Sequence, residues 1–316
     1  MNRREFGMSV AAAGVQVGKP PAIPRRLPGP IRSLAWDSVR RILISNETSG
    51  VRVWDPRTLK PGRRIELGTP RVQALALSPD CRRLAVAAGL PGSAGGVFIL
   101  DWPSGRILMQ QSVGPDAATA VAFSPDSQRV AVGSMDRLLR VWSVTSPTAA
   151  SPMEFRGHSG AVLCVAHAVA EDRWLTGGFD RTVRLWDAAS GAPVRSFTNH
   201  TGPVHEVVVR PDGRYTATAS DDRTARVWQP AIGRMVRILR GHDGPVLTVR
   251  YSPDGSRMFT AGAEGVVRAF DADSDELQTL PGPAVATDWI YALIPDPAGG
   301  SVFVGDGSGI VRRIPV

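Results

Sequence analysis

The sequence predicts an all-β fold built from seven copies of one four-stranded unit. The first observation is a motif, apolar-Arg-apolar-Trp-Asp, that recurs with a step of 42–46 residues. The second is a proline-aspartate turn that recurs with the same period. The third is composition, because 33 glycines and 26 prolines spread over 316 residues favour many short strands and turns over long helices.

Both repeated motifs can be followed along the whole chain. The strand motif occurs as VRVWD (51–55), VFILD (97–101), LRVWS (139–143), VRLWD (183–187), ARVWQ (225–229), VRAFD (267–271) and VRRIP (311–315). The turns are SPDC (78–81), SPDS (124–127), RPDG (210–213), SPDG (252–255) and IPDP (294–297). Between them, apolar and polar residues alternate with the period of two that is typical of β-strands.

With this period, a repeated Gly-His and a repeated Trp-Asp, the sequence resembles the WD-repeat family of β-propellers over roughly residues 22–316. The resemblance implies a seven-bladed β-propeller of four-stranded antiparallel blades, spanning residues 21–316 and expected to be monomeric. One blade cannot bury both of its faces alone, so neighbouring blades must stack around a common axis.

The fourth, outer strand of the seventh blade is missing after the last strand motif. The segment AIPRRLPGPI (22–31) aligns instead with RMVRILRGHDGPV (234–246), which contains an outer strand. We therefore expect residues 22–27 to pair with the C-terminal blade and close the ring, which protects sheet edges.

The first residues, 1–20, are predicted to be a leader that precedes the propeller. Arg3-Arg4, Phe6 and the weakly apolar run that follows resemble a bacterial twin-arginine export signal. Gly7 and the short run depart from that pattern. Export and a disordered cytoplasmic leader therefore both stay open.

Two repeats each contain a histidine, a threonine, an aspartate and a tryptophan at identical spacing. The two sets are His158, Thr176, Asp180, Trp186 and His200, Thr218, Asp222, Trp228. A third repeat keeps His242, Thr260 and Glu264, but Phe270 stands in the Trp position and has no N–H to donate. The family resemblance implies that each full set is a buried hydrogen-bonded tetrad.

A catalytic triad is the alternative interpretation of these residue types. Catalysis requires one exposed set beside a cleft and an oxyanion hole. Two copies one blade apart favour a repeated structural part, because a buried carboxylate needs its acceptors filled by N–H and O–H groups. We therefore predict no catalytic residues, no metal and no cofactor.

The predicted function is a non-catalytic scaffold that binds a protein or peptide partner on its loop face, since loops on a rigid scaffold carry binding. By repeat alignment, the residues expected around that face are Arg32, Gln73, Thr119, Leu163, His205, Leu247 and Tyr291, joined by Met135, Phe179, Asp221 and Ala263.

Two other functional classes are less favoured by the sequence. The net charge of +8 suggests nucleic acid, but the basic residues are scattered and interleaved with acids, so no tail or patch is marked. A ligand-binding or hydrolase- or lyase-type propeller would need histidines and carboxylates near the axis; of five histidines, only His167 and His205 lie outside the repeated position. No run of apolar residues is long enough to span a membrane.

Overall fold

A computed structural model describes residues 29–145, 151–168, 172–274, 277–278 and 288–316. The predicted leader and the predicted closing strand 22–27 lie outside the described residues, so ring closure by that strand stays a prediction.

The described residues form seven antiparallel sheets, numbered here as blades 1 to 7 in chain order. Blade 1 holds β1 (Leu34–Asp37), β2 (Ile42–Asn46), β3 (Gly50–Trp54) and β4 (Pro61–Glu66). Blade 2 holds β5 (Val72–Leu77), β6 (Arg83–Ala88), β7 (Gly95–Asp101) and β8 (Ile107–Gly114). Blade 3 holds β9 (Ala118–Phe123), β10 (Arg129–Ser134), β11 (Leu139–Ser143) and β12 (Met153–Phe155).

The remaining blades repeat the same order. Blade 4 holds β13 (Val162–Ala168), β14 (Arg173–Gly178), β15 (Val183–Asp187) and β16 (Pro193–Phe197). Blade 5 holds β17 (Val204–Val209), β18 (Thr216–Ser220), β19 (Ala225–Gln229) and β20 (Arg234–Leu239). Blade 6 holds β21 (Val246–Tyr251), β22 (Arg257–Gly262), β23 (Val267–Asp271) and β24 (Leu277–Gln278), and blade 7 holds β25 (Ile290–Pro295), β26 (Ser301–Asp306) and β27 (Val311–Pro315).

The blades stand around a closed ring, as the repeat predicts. The first strand of each blade contacts the first strand of the next, and β1 of blade 1 contacts β25 of blade 7. The junction of blades 1 and 7 is held by the Ile31 N–H, which donates to the Asp306 carbonyl at 3.0 Å, and by stacking of Trp36 on Phe303. The prediction of an all-β, seven-bladed propeller is confirmed.

Each blade buries its second strand almost completely and much of its third strand. In β14 and β15, Trp174 pairs with Trp186, and both indole rings are buried. Large apolar side chains between neighbouring sheets supply most of the stabilisation in such a stack. The ring therefore provides a rigid frame for the turns at its two faces.

Antiparallel pairing sorts the connections into two opposite faces. One side carries the turns between second and third strands and the connections from one blade to the next. We call this side the loop face. The opposite face carries the turns between first and second and between third and fourth strands. Within the described ranges, no helix is long and apolar enough to cross a membrane.

Candidate interaction surface at the mouth of the channel

The two predicted tetrads are continuous hydrogen-bond chains in the structure. In blade 5 the Trp228 indole N–H donates to Thr218 Oγ1 at 2.9 Å, and Thr218 Oγ1 lies 2.7 Å from His200 Nε2. The other ring nitrogen, Nδ1, lies 2.7 Å from Asp222. Because the indole can only donate, a neutral imidazole completes the chain when the threonine hydroxyl donates to Nε2 and Nδ1–H donates to the carboxylate.

Blade 4 repeats this geometry with nearly the same distances. Trp186 donates to Thr176 at 2.8 Å, Thr176 lies 2.7 Å from His158 Nε2, and His158 Nδ1 lies 2.9 Å from Asp180. Both histidines are buried, and the two threonines are fully buried. A hydroxyl enclosed between an indole and an imidazole has no access to a substrate.

The aspartate at the end of each chain is held ionised by its neighbours. Burial alone would raise the pKa of Asp180, but hydrogen bonds from His158, the Thr182 hydroxyl and the Ser159 N–H hold that pKa well below its usual range. The Ser159 contact ties the inter-blade connection to the turn of blade 4. The tetrad thus joins two separate loops of the loop face.

Blade 6 has the shorter network that the sequence predicts. His242 Nε2 lies 2.7 Å from Thr260 Oγ1, and His242 Nδ1 contacts Glu264. The ring of Phe270 is buried in the tryptophan position. Thr260 therefore has one buried polar partner fewer than Thr218.

The arginine of the repeated strand motif has a specific partner in most blades. Its guanidinium pairs with the acid of the turn in its own blade, in the pairs Arg52–Glu47, Arg140–Asp136, Arg226–Asp222, Arg268–Glu264 and Arg312–Asp306. Arg140 and Arg226 are buried, and the aspartate four positions before each of them neutralises its charge.

On the loop face, the seven first strands surround a cavity of about 620 Å³, which we call the mouth of the central channel. The predicted face residues line this cavity, namely Arg32, Gln73, Thr119, Leu163, His205, Leu247, Tyr291, Met135, Phe179 and Asp221. The predicted face residue Ala263 is not among the residues that line it.

Some mouth residues are engaged by the propeller itself. The Thr119 hydroxyl donates to the carbonyls of Gly133 and Val162, and Gln73 Nε2 donates to the Gly89 carbonyl at 3.0 Å. His205 Nε2 lies 2.6 Å from Asp221 Oδ1. Because these polar groups already have partners within the propeller, they form the wall of the cavity and contribute little to binding a ligand.

Other mouth residues are strongly exposed although they are aromatic. Phe179 is 63% exposed and Trp289 is 47% exposed. The rings of Trp289 and Tyr291 lie 6.1 Å apart, and the Arg32 guanidinium lies 5.2 Å from the centre of the Tyr291 ring. Exposed aromatic and arginine side chains at one opening are typical of interface hot spots.

The repeats match a known family over the middle of the chain. Residues 109–143, 150–187, 191–229 and 233–271 match the family described as WD domain, G-beta repeat. The chain belongs to the WD-repeat family. Its four matched WD repeats include both complete tetrads and the partial tetrad of blade 6.

Several relatives of this WD-repeat chain are known by name. The Guanine nucleotide-binding protein subunit beta of Oryza sativa subsp. indica is 28% identical over 207 residues, which cover 61% of this chain and 53% of that protein. The protein of the same name from Arabidopsis thaliana is 31% identical over 207 residues, covering 61% and 54%. Ribosome biogenesis protein ytm1 of Aspergillus clavatus is 31% identical over 129 residues, covering 38% and 26%. The chain spans about half the length of the beta subunits it matches.

Sequence comparison of the repeats missed five residues of the mouth, of which Arg71 and Trp289 carry the largest side chains. Each of these two lies two positions before a predicted face residue, Gln73 and Tyr291. Side chains two residues apart in extended chain point to the same side. Period-two alternation around the predicted positions is the signal that could have found them.

Proposed function

We propose that this WD-repeat protein is a non-catalytic interaction scaffold that binds a protein or peptide partner at the mouth of its channel. The observation that carries the proposal is the exposure of Phe179 and Trp289 beside Arg32 at one opening of a rigid ring. The relatives named as beta subunits are by that name parts of an assembly, which supports a binding role for the propeller.

The arrangement of the tetrads supports the same function. Each tetrad uses its histidine, hydroxyl and carboxylate to hold two loops together, so these groups are structural and take no part in chemistry. Within the described ranges, no group of three or more histidine, cysteine, aspartate or glutamate side chains could hold a metal ion. The proposed contacts of the mouth are apolar contact area and charge.

Affinity capture with a matched pair of variants tests this function. The mouth variant combines Arg32→Ala, Phe179→Ala and Tyr291→Ala. The control variant combines Arg82→Ala, Val39→Ala and Ile232→Ala, which removes one arginine and two apolar side chains from exposed turns on the opposite face.

The proposal predicts that partners captured by the wild type are lost from the mouth variant and retained by the control variant. Both variants should melt within about 2 °C of the wild type, because surface substitutions change stability little. Equal capture by the mouth variant and the wild type would place the partner elsewhere and refute the proposal.

A further inference from the structure

The charges at the mouth are unbalanced. Arg32 and Arg71 both line the cavity, and within the described residues neither makes an ion pair. Asp221 is the one carboxylate among the residues that line this cavity, and it is already bonded to His205. The opening therefore presents two uncompensated guanidinium groups beside apolar walls.

The charge of Arg71 acts on Arg32. Partial withdrawal from water lowers the pKa of Arg32; Tyr291 opposes this effect, and the positive charge of Arg71 adds to it. Like charges at one opening without a counter-ion repel each other, and an anion bound at this opening would relieve that repulsion.

Three further arginines lie on the loop face in blades 3, 4 and 5, outside the lining of the cavity. Arg137, Arg181 and Arg223 are exposed on turns of the loop face, with φ of 76°, 66° and 65°. The same turn position holds Gly265 in blade 6 and Gly309 in blade 7. A left-handed backbone favours glycine, so the turn geometry does not call for these arginines.

The aromatic residues alone could suggest a cationic ligand instead. The Tyr291 ring, however, already faces the Arg32 guanidinium. A second cation at this place would meet two unpaired arginines. The charges at the mouth thus favour a negatively charged occupant.

We infer that the segment bound at the mouth is an acidic peptide, with a carboxylate held by Arg32 and Arg71 and a large apolar side chain packed against Phe179. This inference rests on the proposed function, because it specifies the partner of the same site. Carboxylates form charge-assisted, often bidentate hydrogen bonds with arginine. Met135, Leu163 and Leu247 line the same cavity and exclude water around such contacts.

The test starts from selection of random peptides displayed on phage against the full chain. The tightest selected peptide and a copy with each Glu and Asp replaced by Gln and Asn are then titrated into four proteins. These are the wild type, Arg32→Gln/Arg71→Gln, Phe179→Ala/Tyr291→Ala, and the control Arg82→Gln/Arg106→Gln. The control removes the same charge from exposed turns on the opposite face.

The expected result is that selected peptides are enriched in Glu and Asp and lose about tenfold or more in affinity for Arg32→Gln/Arg71→Gln. The Gln and Asn copy should lose a similar factor on the wild type and little more on that variant, since the interaction is then already broken. The control should stay within about twofold of the wild type.

Two results would overturn the inference. One is that selected peptides are neutral or basic, or bind Arg32→Gln/Arg71→Gln as tightly as the wild type. The other is that a labelled oligothymidylate of about 12 nucleotides binds more tightly than every selected peptide, with the steep salt dependence of nucleic-acid binding.

The aromatic variant separates this failure from failure of the proposed function. If neutral peptides are selected and Phe179→Ala/Tyr291→Ala abolishes their binding, the mouth is the interaction site and only its acidic preference is wrong. If that variant binds every selected peptide normally, the proposed function fails as well.

Discussion

Replacing Thr218 by valine should destabilise the protein strongly, because two buried groups lose their partner at once. The side chain of Thr218 is fully buried and joins the Trp228 N–H at 2.9 Å to His200 Nε2 at 2.7 Å. Valine keeps the shape and removes the hydroxyl. At about 1–3 kcal/mol for each unsatisfied buried group, Thr218→Val should cost about 2–6 kcal/mol.

Blade 6 supplies a matched comparison within the same molecule. Thr260 is also fully buried and contacts His242 Nε2 at 2.7 Å, but Phe270 offers no N–H. Thr260→Val therefore leaves one group unpaired and should cost about 1–3 kcal/mol, roughly half as much. Thr176→Val, which repeats the blade 5 geometry, should match Thr218→Val.

The free energies of unfolding are measured by urea titration at pH 7, followed by far-ultraviolet circular dichroism. The decisive quantity is the difference between the losses in the free energy of unfolding caused by Thr218→Val and by Thr260→Val, because this difference isolates the contribution of the indole contact. A cost for Thr260→Val equal to or above that for Thr218→Val would refute the argument, as would a neutral Thr218→Val.

Three further outcomes follow from the same geometry. Burial lowers the pKa of His200 against the opposing effect of Asp222, and burial together with the charge of Arg268 lowers the pKa of His242. Because the unfolded chain protonates these histidines below about pH 6.5 and the folded chain does so only at lower pH, the free energy of unfolding measured by urea titration should fall from about pH 7 to about pH 5. A constant or rising stability over this range would contradict this. Phe179→Ala should change the urea midpoint by less than the equivalent of about 0.5 kcal/mol, because the ring is exposed; a loss above about 2 kcal/mol would mean that the ring belongs to the core. Trp102→Phe should cost about 1–3 kcal/mol in the same assay, because the buried Asp37 carboxylate loses the indole N–H at 2.8 Å; an unchanged midpoint would refute that contact.

The strands and the tetrads could be predicted because both repeat with a fixed spacing. In blades 4 and 5, the threonine of the second strand lies four residues before the aspartate of the turn in both copies, so comparing one repeat with the next separated a structural network from a catalytic set. Asp180 and Asp222 occupy the same place in the two chains of hydrogen bonds.

Contacts that occur once could not be predicted in this way. Asp37 and Trp102 lie 65 residues apart and join blades 1 and 2, but Trp102 is not the tryptophan of a strand motif, so no repeat marks it. The pairing of Arg140 with Asp136 could not be predicted for another reason. Alternation places an arginine on one side of a strand, whereas only the fold shows which acid it meets.

In blade 1, residues around Glu47 replace the tetrad that blades 4 and 5 use. Blade 1 lacks the histidine of the tetrads, yet its Trp54 indole donates to Ser45 Oγ at 2.9 Å. The buried Glu47 pairs with Arg52 at 2.7 Å, and Asn46 Oδ1 accepts from the backbone N–H groups of Arg32 and Ser33. Different residues thus anchor the same connection, which places Arg32 at the mouth.

The measurement that tests the central claim most directly is calorimetric titration of a selected peptide into the wild type and Phe179→Ala/Tyr291→Ala. The account predicts that the aromatic variant folds with an unchanged unfolding midpoint and loses about tenfold or more in affinity. Equal affinity for both proteins would contradict the assignment of the mouth as the interaction site.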